Sequence, residues 1–366
     1  MNSQQHAWNI MDRIKIKGYK SFKDLDFELK KINLLIGSNG AGKSNFLSFF
    51  ELLGRTFAQG LTAYVAQKGG VDKFLFHGRK ETESIEAILY MDRNSYAVKF
   101  IEADGRLIIS IESLGFKSQS KWDFKTISEY VNEAQIRDYQ SLTRDDYIRG
   151  YLSQIRKFHF HDTGNRSPFA MECHKKNDSM TLYEHGENLA PILYRIRSEN
   201  PQVYHRIVQV IQSVAPYFSD FYFDPSPAAE TMRLLWQDKY STMIYGPNDF
   251  SDGTIRFIAL VVLFMQPWLP KVIIIDEPEL GLHPVAIQKL AGLIRIAAQR
   301  GAQIIIATQS AELISNFEPE DVVTVNQLDG QTQMQRLNRA DLEQWLDEYT
   351  LGDLWKQNIL KGGQPR

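Results

Sequence analysis

The stretch Ile32-Asn33-Leu34-Leu35-Ile36-Gly37-Ser38-Asn39-Gly40-Ala41-Gly42-Lys43-Ser44-Asn45-Phe46-Leu47 decides the fold. Its first five residues form a nearly continuous apolar run, as in a strand buried on both faces. The glycines at 37, 40 and 42 then let the backbone wrap an anion, so that amide groups and the following helix end face phosphate oxygens. From Ser44 to Arg55, the residues Phe46, Leu47, Phe49, Phe50 and Leu53 recur at helical spacing. Strand, glycine loop and helix in that order make a complete phosphate-binding loop. Asn39, Gly40, Ala41, Gly42, Lys43, Ser44 and Asn45 are its candidate nucleotide ligands, with Lys43 set to neutralise the β- and γ-phosphates and the Ser44 hydroxyl to ligate Mg²⁺. A purely structural glycine turn is the competing reading; the flanking strand and helix argue against it.

Two further stretches extend that chemistry. Val272-Ile273-Ile274-Ile275-Asp276-Glu277 is an apolar strand ending in two carboxylates. Asp276 would bind Mg²⁺ through its water shell, and Glu277 would orient or deprotonate the attacking water. Alone, two acids after a buried strand read as caps; beside a phosphate-binding loop they read as catalytic. Phe250-Ser251-Asp252-Gly253-Thr254 precedes a helical run from Ile255 and offers a hydroxyl and a glycine amide at a helix start. One nucleotide needs one phosphate loop, so a second anion-seeking helix end makes sense if it closes over a nucleotide held by another subunit. An ordinary capped helix start is the plainer alternative.

The order GSNGAGKSN, FSDGTIRF, VIIIDEPELGLHP and IIIATQSAEL resembles the ABC-type heads of the RecF, SMC and OLD group, and most closely the compact AAA-21 ATPases within it. The opening IKIKGYKSFKDLDFELKKINLLIGSNGAGKSNFL and the segments GGVDKFLFHG and FHFHDTGN match as well, so the likeness spans most of residues 12–363. The resemblance implies an α/β P-loop NTPase head: a mixed sheet around the P-loop helix, an antiparallel β lobe, an inserted helical lobe and no long coiled coil. It makes Gly37 to Asn45 the Walker A motif, Ser251 to Thr254 the signature, and Asp276 and Glu277 Walker B. Leu282-His283-Pro284 then lies at the D-loop, with His283 as a further nucleotide contact, and Gln309 sits at the switch. FSDGT keeps the serine and the second glycine that would touch a partner's γ-phosphate. Gln309 stands where many ABC proteins have histidine; an amide hydrogen-bonds but cannot act as a base, which leaves Glu277 as the general base. Gln59 and Gln67 fall in the region of the Q-loop, and neither has a context that decides the matter.

Composition fits this reading. The 366 residues are 43% hydrophobic and 23% charged, enough to bury one or two cores. With 42 Lys and Arg against 44 Asp and Glu, nucleic-acid binding would need a local patch. The single cysteine, Cys173, excludes a disulfide framework and a cysteine-built zinc site and suits a reducing compartment, so cytoplasm is expected. Residues 1–11 read as a disordered leader without a signal sequence. The apolar maximum from Ile255 to Ile275 is cut by Pro267 and Pro270 into a helix and a short strand, which argues against a membrane span.

Along the chain, residues 12–125 read as the ATP-binding lobe with a β meander from Ser84 to Gly115 and a hairpin turn at Asp104-Gly105. Residues 126–216 read as a mixed helical insertion, with one helical stretch from Leu189 to Val214. Residues 217–366 read as the lobe carrying signature, Walker B, D-loop and switch, ending in a strand at Val322 to Val325 and a helical DLEQWLDEY segment. The acidic stretch from Glu312 to Asp353 reads first as a solvated face and second as a docking surface. His159, His161 and Asp162 alternate as on one strand face, with His174 and His185 further on. A metal site there is the sharper reading, and an ordinary element of the lobe is preferred. Trp345, Tyr349 and Trp355 read as helix packing rather than base-stacking platforms. Arg137, Arg144, Arg149, Arg156, Lys157 and Arg166 are candidates for DNA phosphates, although Asp138, Asp145, Asp146 and Asp162 stand among them.

The resemblance implies a Mg²⁺-dependent ATP hydrolase that homodimerises on ATP and switches shape in a DNA transaction, either repair or anti-phage defence, controlling a separate nuclease or toxin. The rival is an ATP-gated clamp for DNA or protein in which slow hydrolysis only resets the grip. The nucleotide-binding subunit of a membrane transporter fits less well, given FSDGT and the long insertion. A nuclease fused in cis is not expected, since about fifty residues follow Ile314.

Overall fold

A computed structural model describes residues 10–139, 144–164, 166–224 and 230–360, with only the backbone described at 144–145. The leader at 1–9 and the proposed phosphate contact of the Arg144 side chain lie outside the described residues. Met11, expected in the leader, is buried: its amide donates to Tyr151 Oη at 2.9 Å and its carbonyl accepts from Gln303 Nε2 at 2.7 Å.

The chain opens with the hairpin β1 (Arg13–Tyr19) and β2 (Phe22–Glu28), in which Ile14 and Ile16 pair with Phe27 and Leu25 on the buried face. Then come β3 (Ile32–Ile36), buried along its whole length, α1 (Lys43–Phe57) and α2 (Leu61–Gln67). The meander is β4 (Ser84–Met91), β5 (Asn94–Ala103), β6 (Arg106–Ser118) and β7 (Lys121–Val131). Asp104 and Gly105 both take positive φ in the β5–β6 turn, as a tight hairpin requires. The meander therefore continues to Val131, beyond the expected start of the insertion. β7 is an edge strand with mostly exposed side chains, so no alternation of apolar residues marks it.

Next come α3 (Arg144–Leu152), β8 (Ile155–Phe158), β9 (Cys173–His174), α4 (Leu189–Glu199) and α5 (Pro201–Gln212). Pro201 cannot donate to the helix before it, so the single helix read from Leu189 to Val214 is two. After them come β10 (Phe218–Tyr222), β11 (Thr231–Met232), β12 (Leu235–Asp238) and β13 (Ile244–Tyr245). The chain continues through α6 (Asp252–Met265), β14 (Val272–Asp276), α7 (Pro284–Gln299), β15 (Gln303–Thr308) and α8 (Ala311–Ile314). It closes with β16 (Val322–Leu328), β17 (Gln331–Arg336), α9 (Arg339–Leu346) and α10 (Leu351–Lys356).

Two six-stranded sheets result. One is antiparallel, in the order β2-β1-β4-β5-β6-β7; the other is mixed, in the order β17-β16-β3-β15-β14-β8, with only β17 antiparallel. Strand alternation divides the core. Leu34, Ile36, Ile273, Ile275, Ile304 and Ile306 pack with α4 to α7, while Leu35, Ile274 and Ile305 pack with α1 and the antiparallel sheet. The P-loop helix is thus sandwiched between the two sheets. Because β3, β15, β14 and β8 are parallel, their carboxyl ends meet on one edge, where ligands of open α/β sheets bind. Among the described residues no helix is long and apolar enough to cross a membrane.

Candidate active site

At that edge lies a cavity of about 490 Å³ lined by residues 39–45, His159, His161, Asp276, Glu277, Leu280 and Gln309. Its size is that of an ordinary small-molecule site. Gly40 and Gly42 hold φ values of 82° and 111°, the left-handed region that glycine enters without penalty. The loop carbonyls of Gly37 and Ser38 accept from Lys43 Nζ at 2.7 and 3.1 Å. Lys43 is 6% exposed; burial pushes its ammonium below the ordinary value, while Asp276 and Glu277 draw it back up.

The Walker B strand brings its carboxylates to the loop. Ser44 Oγ donates to Asp276 Oδ2 at 3.1 Å. A hydroxyl and a carboxylate oxygen side by side, beside a loop shaped for phosphate, are the hard oxygen donors that suit Mg²⁺ bound to a triphosphate. Glu277 has φ 45°, unusual for a residue with a side chain, and its amide donates to Ala307 O at 2.8 Å. Gln309 Nε2 donates to Glu277 Oε1 and to Asn39 Oδ1, both at 2.8 Å, so the switch amide joins the P-loop to the carboxylate. Behind them Glu279, 9% exposed, accepts from Thr308 Oγ1, and its other oxygen is buried without a partner. Burial pushes that carboxyl above its ordinary range.

Ser251, Asp252, Gly253 and His283 are outside the lining of this cavity. Ser251 caps α6 by accepting from the Thr254 amide at 3.2 Å, and His283 caps α7 by accepting from the Val285 amide at 3.4 Å. Ser251, Asp252 and His283 are exposed, and so are the apolar Leu280 (48%) and Val285 (46%). Gly253 packs so tightly that a Cβ there would stand 2.4 Å from Gly281 O.

Sequence reasoning named His159 and His161 but did not place them at this cavity, which both of them line. Phe158 and Phe160 turn into the core, while His159 and His161 face the nucleotide edge, because β8 lies beside β14 with Phe158 opposite Ile275. The alternation was legible; the neighbour was not. Partial desolvation and the rings of His161 and His185 push His159 down to about 4. Among the described residues no group of three or more His, Cys, Asp or Glu side chains is placed to hold a metal ion. Gln59 and Gln67 are not among the cavity residues; Gln59 Nε2 donates to Asp138 instead, at 2.8 Å. Of the basic residues of the insertion, Lys157 pairs with Glu51 at 3.0 Å, and Arg149 is engaged by Asp146 and the Tyr139 carbonyl. Arg137 and Arg156 line a separate groove and carry no ion pair among the described residues.

Comparison with known proteins gives the family and the fold. A family model described as "AAA domain, putative AbiEii toxin, Type IV TA system" matches residues 32–315. An ATP/GTP phosphatase of Helicobacter pylori is 21% identical over 334 residues, which cover 83% of this chain and 86% of that protein. The DNA replication and repair protein RecF of Porphyromonas gingivalis is 21% identical over 245 residues, covering 62% of this chain and 61% of that one. In fold, the chain is similar to an SMC head solved bound to the C-winged helix domain of ScpA, with TM-score 0.53, 16% identity, and coverage of 92% of this chain and 99% of that one. The chain belongs to the AAA-21 family of ABC-type ATPases.

Proposed function

We propose that two copies of this ATPase close over two MgATP molecules, each held by the P-loop of one copy and capped by the Ser251 helix end of the other. The observation that carries the reading is the division of the site: loop, Walker B and switch residues share one cavity, while Ser251, Asp252, Gly253 and His283 are outside its lining. Exposed Leu280 and Val285 nearby are apolar surface suited to burial by a second copy.

Each residue then has a defined task. The amides of 39–45 and the Lys43 ammonium hold the phosphates; Ser44 and Asp276 would hold Mg²⁺, which neutralises phosphate charge when bound. Glu277 accepts the proton of the attacking water. Gln309 spends its amide hydrogens on Glu277 and Asn39, which fixes the carboxylate and leaves the amide no role as a base. ATP supplies a γ-phosphate that ADP lacks, so the triphosphate favours the closed dimer and hydrolysis releases it.

Glu277→Gln is expected to bind ATP, lose about 10²–10⁴ of its turnover and accumulate as dimers with ATP but not with ADP, by size-exclusion light scattering. Near-normal turnover, or a monomer in ATP, would refute the reading. The shape change is proposed to serve a DNA transaction, in repair or in defence through a separate nuclease or toxin. The names of the RecF relative and of the family description support that direction. The rival clamp, with hydrolysis used only for reset, predicts DNA release rather than effector activity on turnover. DNA contact is assigned to the groove of Arg137 and Arg156, because Arg149 and Lys157 are already paired. Arg137→Glu with Arg156→Glu should weaken DNA binding about tenfold or more at low salt; equal affinity in a filter-binding titration would remove the groove.

A further inference from the structure

The turn after β8 touches both the nucleotide cavity and the helix that begins at Ser251. His161 lines the cavity, and its Nε2 stands 3.0 Å from the carbonyl oxygen of Asp276. A carbonyl only accepts, so Nε2 carries the proton and the imidazole donates. The carbonyl of His161 in turn accepts from Arg256 Nη2 at 2.8 Å, and Arg256 Nη1 donates to Leu280 O at 3.0 Å. Arg256 belongs to the first turns of α6, five residues after Ser251. One guanidinium therefore fastens together the turn after β8, the turn after β14 and the start of α6.

Two properties make this fastening a transmitter rather than filler. The start of α6 and the turn after β14 cross with little slack: a Cβ on Gly253 would stand 2.4 Å from Gly281 O, and the Arg256 guanidinium lies against Gly281, where a Cβ would stand 2.9 Å from Nη1. A shift of one is passed on, because close-packed contacts do not absorb displacement. In addition, Arg256 Nε is buried with no hydrogen-bond partner. An unpaired buried donor costs free energy, which favours any rearrangement that satisfies it.

We propose that His161 and Arg256 are positioning residues that tie occupancy of the nucleotide cavity to the placement of the Ser251 helix end. MgATP acts on Ser44 and Asp276, and it is the Asp276 carbonyl that holds His161. Movement there passes through the His161 main chain to Arg256 and so to α6, and the helix end reaches its closing position only when the triphosphate is present. The inference rests on the ATP-driven dimer proposed above.

The test uses the full chain carrying Glu277→Gln, with ATP-driven dimerisation followed by light scattering and nucleotide affinity by anisotropy of a fluorescent ATP. If Glu277→Gln itself forms no ATP-dependent dimer, the proposed function fails, and this inference with it. If the dimer forms, adding His161→Ala is expected to raise the ATP concentration for half-maximal dimerisation about tenfold beyond any change it makes in nucleotide affinity. Arg256→Ala should do the same, and the two together should cost no more than the larger single effect, since both cut one connection. His161→Gln, whose amide can still donate to the Asp276 carbonyl, should restore dimerisation, which a misfolded site would not. Dimerisation of His161→Ala at the unaltered ATP concentration, or single effects that multiply in the double variant, would overturn the link while leaving the dimer intact.

Discussion

Glu277 is gripped from two sides. Its amide extends the pairing of β14 with β15 by one residue, and its carboxylate accepts from Gln309, so a backbone with φ 45° is held where strain alone would release it. Glu279, two residues on, is the reverse case: it is buried, half satisfied and pushed above the ordinary carboxyl range. A carboxyl whose folded value is raised binds its proton more tightly folded than unfolded. Its penalty is absent below the unfolded value of 4.5, grows as pH rises through the window between unfolded and folded values, and is complete above it. Glu279→Gln should therefore be more stable than the parent by about 1 kcal/mol at neutral pH. That advantage should shrink towards zero as denaturant titrations are repeated at acid pH. A constant difference would mean that the carboxyl is not what the site is straining against.

At the scale of elements, local sequence was a good guide wherever neighbours in the chain are neighbours in space. The β3–loop–α1 unit, the α6 start and the proline break before β14 carry their own signals: a buried run, glycines, a serine cap, a helix-ending proline. The elements that went unread depend on distant partners. β8 is four residues long and draws its meaning from β14, more than a hundred residues away. β17 is largely polar because it closes an edge. Hence Asp276, Glu277 and Gln309 could be named from motifs, while His161 could be placed on a strand face but not beside Asp276. The tight crossing of α6 and the turn after β14 was also invisible, and it makes a prediction. Gly253→Ala should push a methyl group against Gly281 O and shift the helix end. ATP-driven dimerisation should fall at least about tenfold while nucleotide binding to the monomer stays near normal. Parental dimerisation would show that the crossing is loose.

For the whole molecule, the two sheets divide the labour. The mixed sheet presents the carboxyl ends of its parallel strands to the nucleotide, and the antiparallel lobe clamps α1 against it, so the phosphate loop rests on a helix buried on two sides. Among the described residues, Ser251 lies outside the lining of the nucleotide cavity, and the central claim proposed above is that each site is completed by the twin. Mixing two inactive variants tests it most directly. On that claim, Lys43→Ala should fail to hold nucleotide, and Ser251→Arg should fail to cap its partner's. In a mixed dimer the Ser251→Arg copy keeps a working P-loop, and the Lys43→Ala copy offers it an intact Ser251. Each variant alone should be inactive, and an equimolar mixture should regain ATP hydrolysis, up to about a quarter of the parental rate if subunits pair at random. A mixture no more active than its components would place Ser251 and Lys43 in service of the same copy's nucleotide and contradict the account.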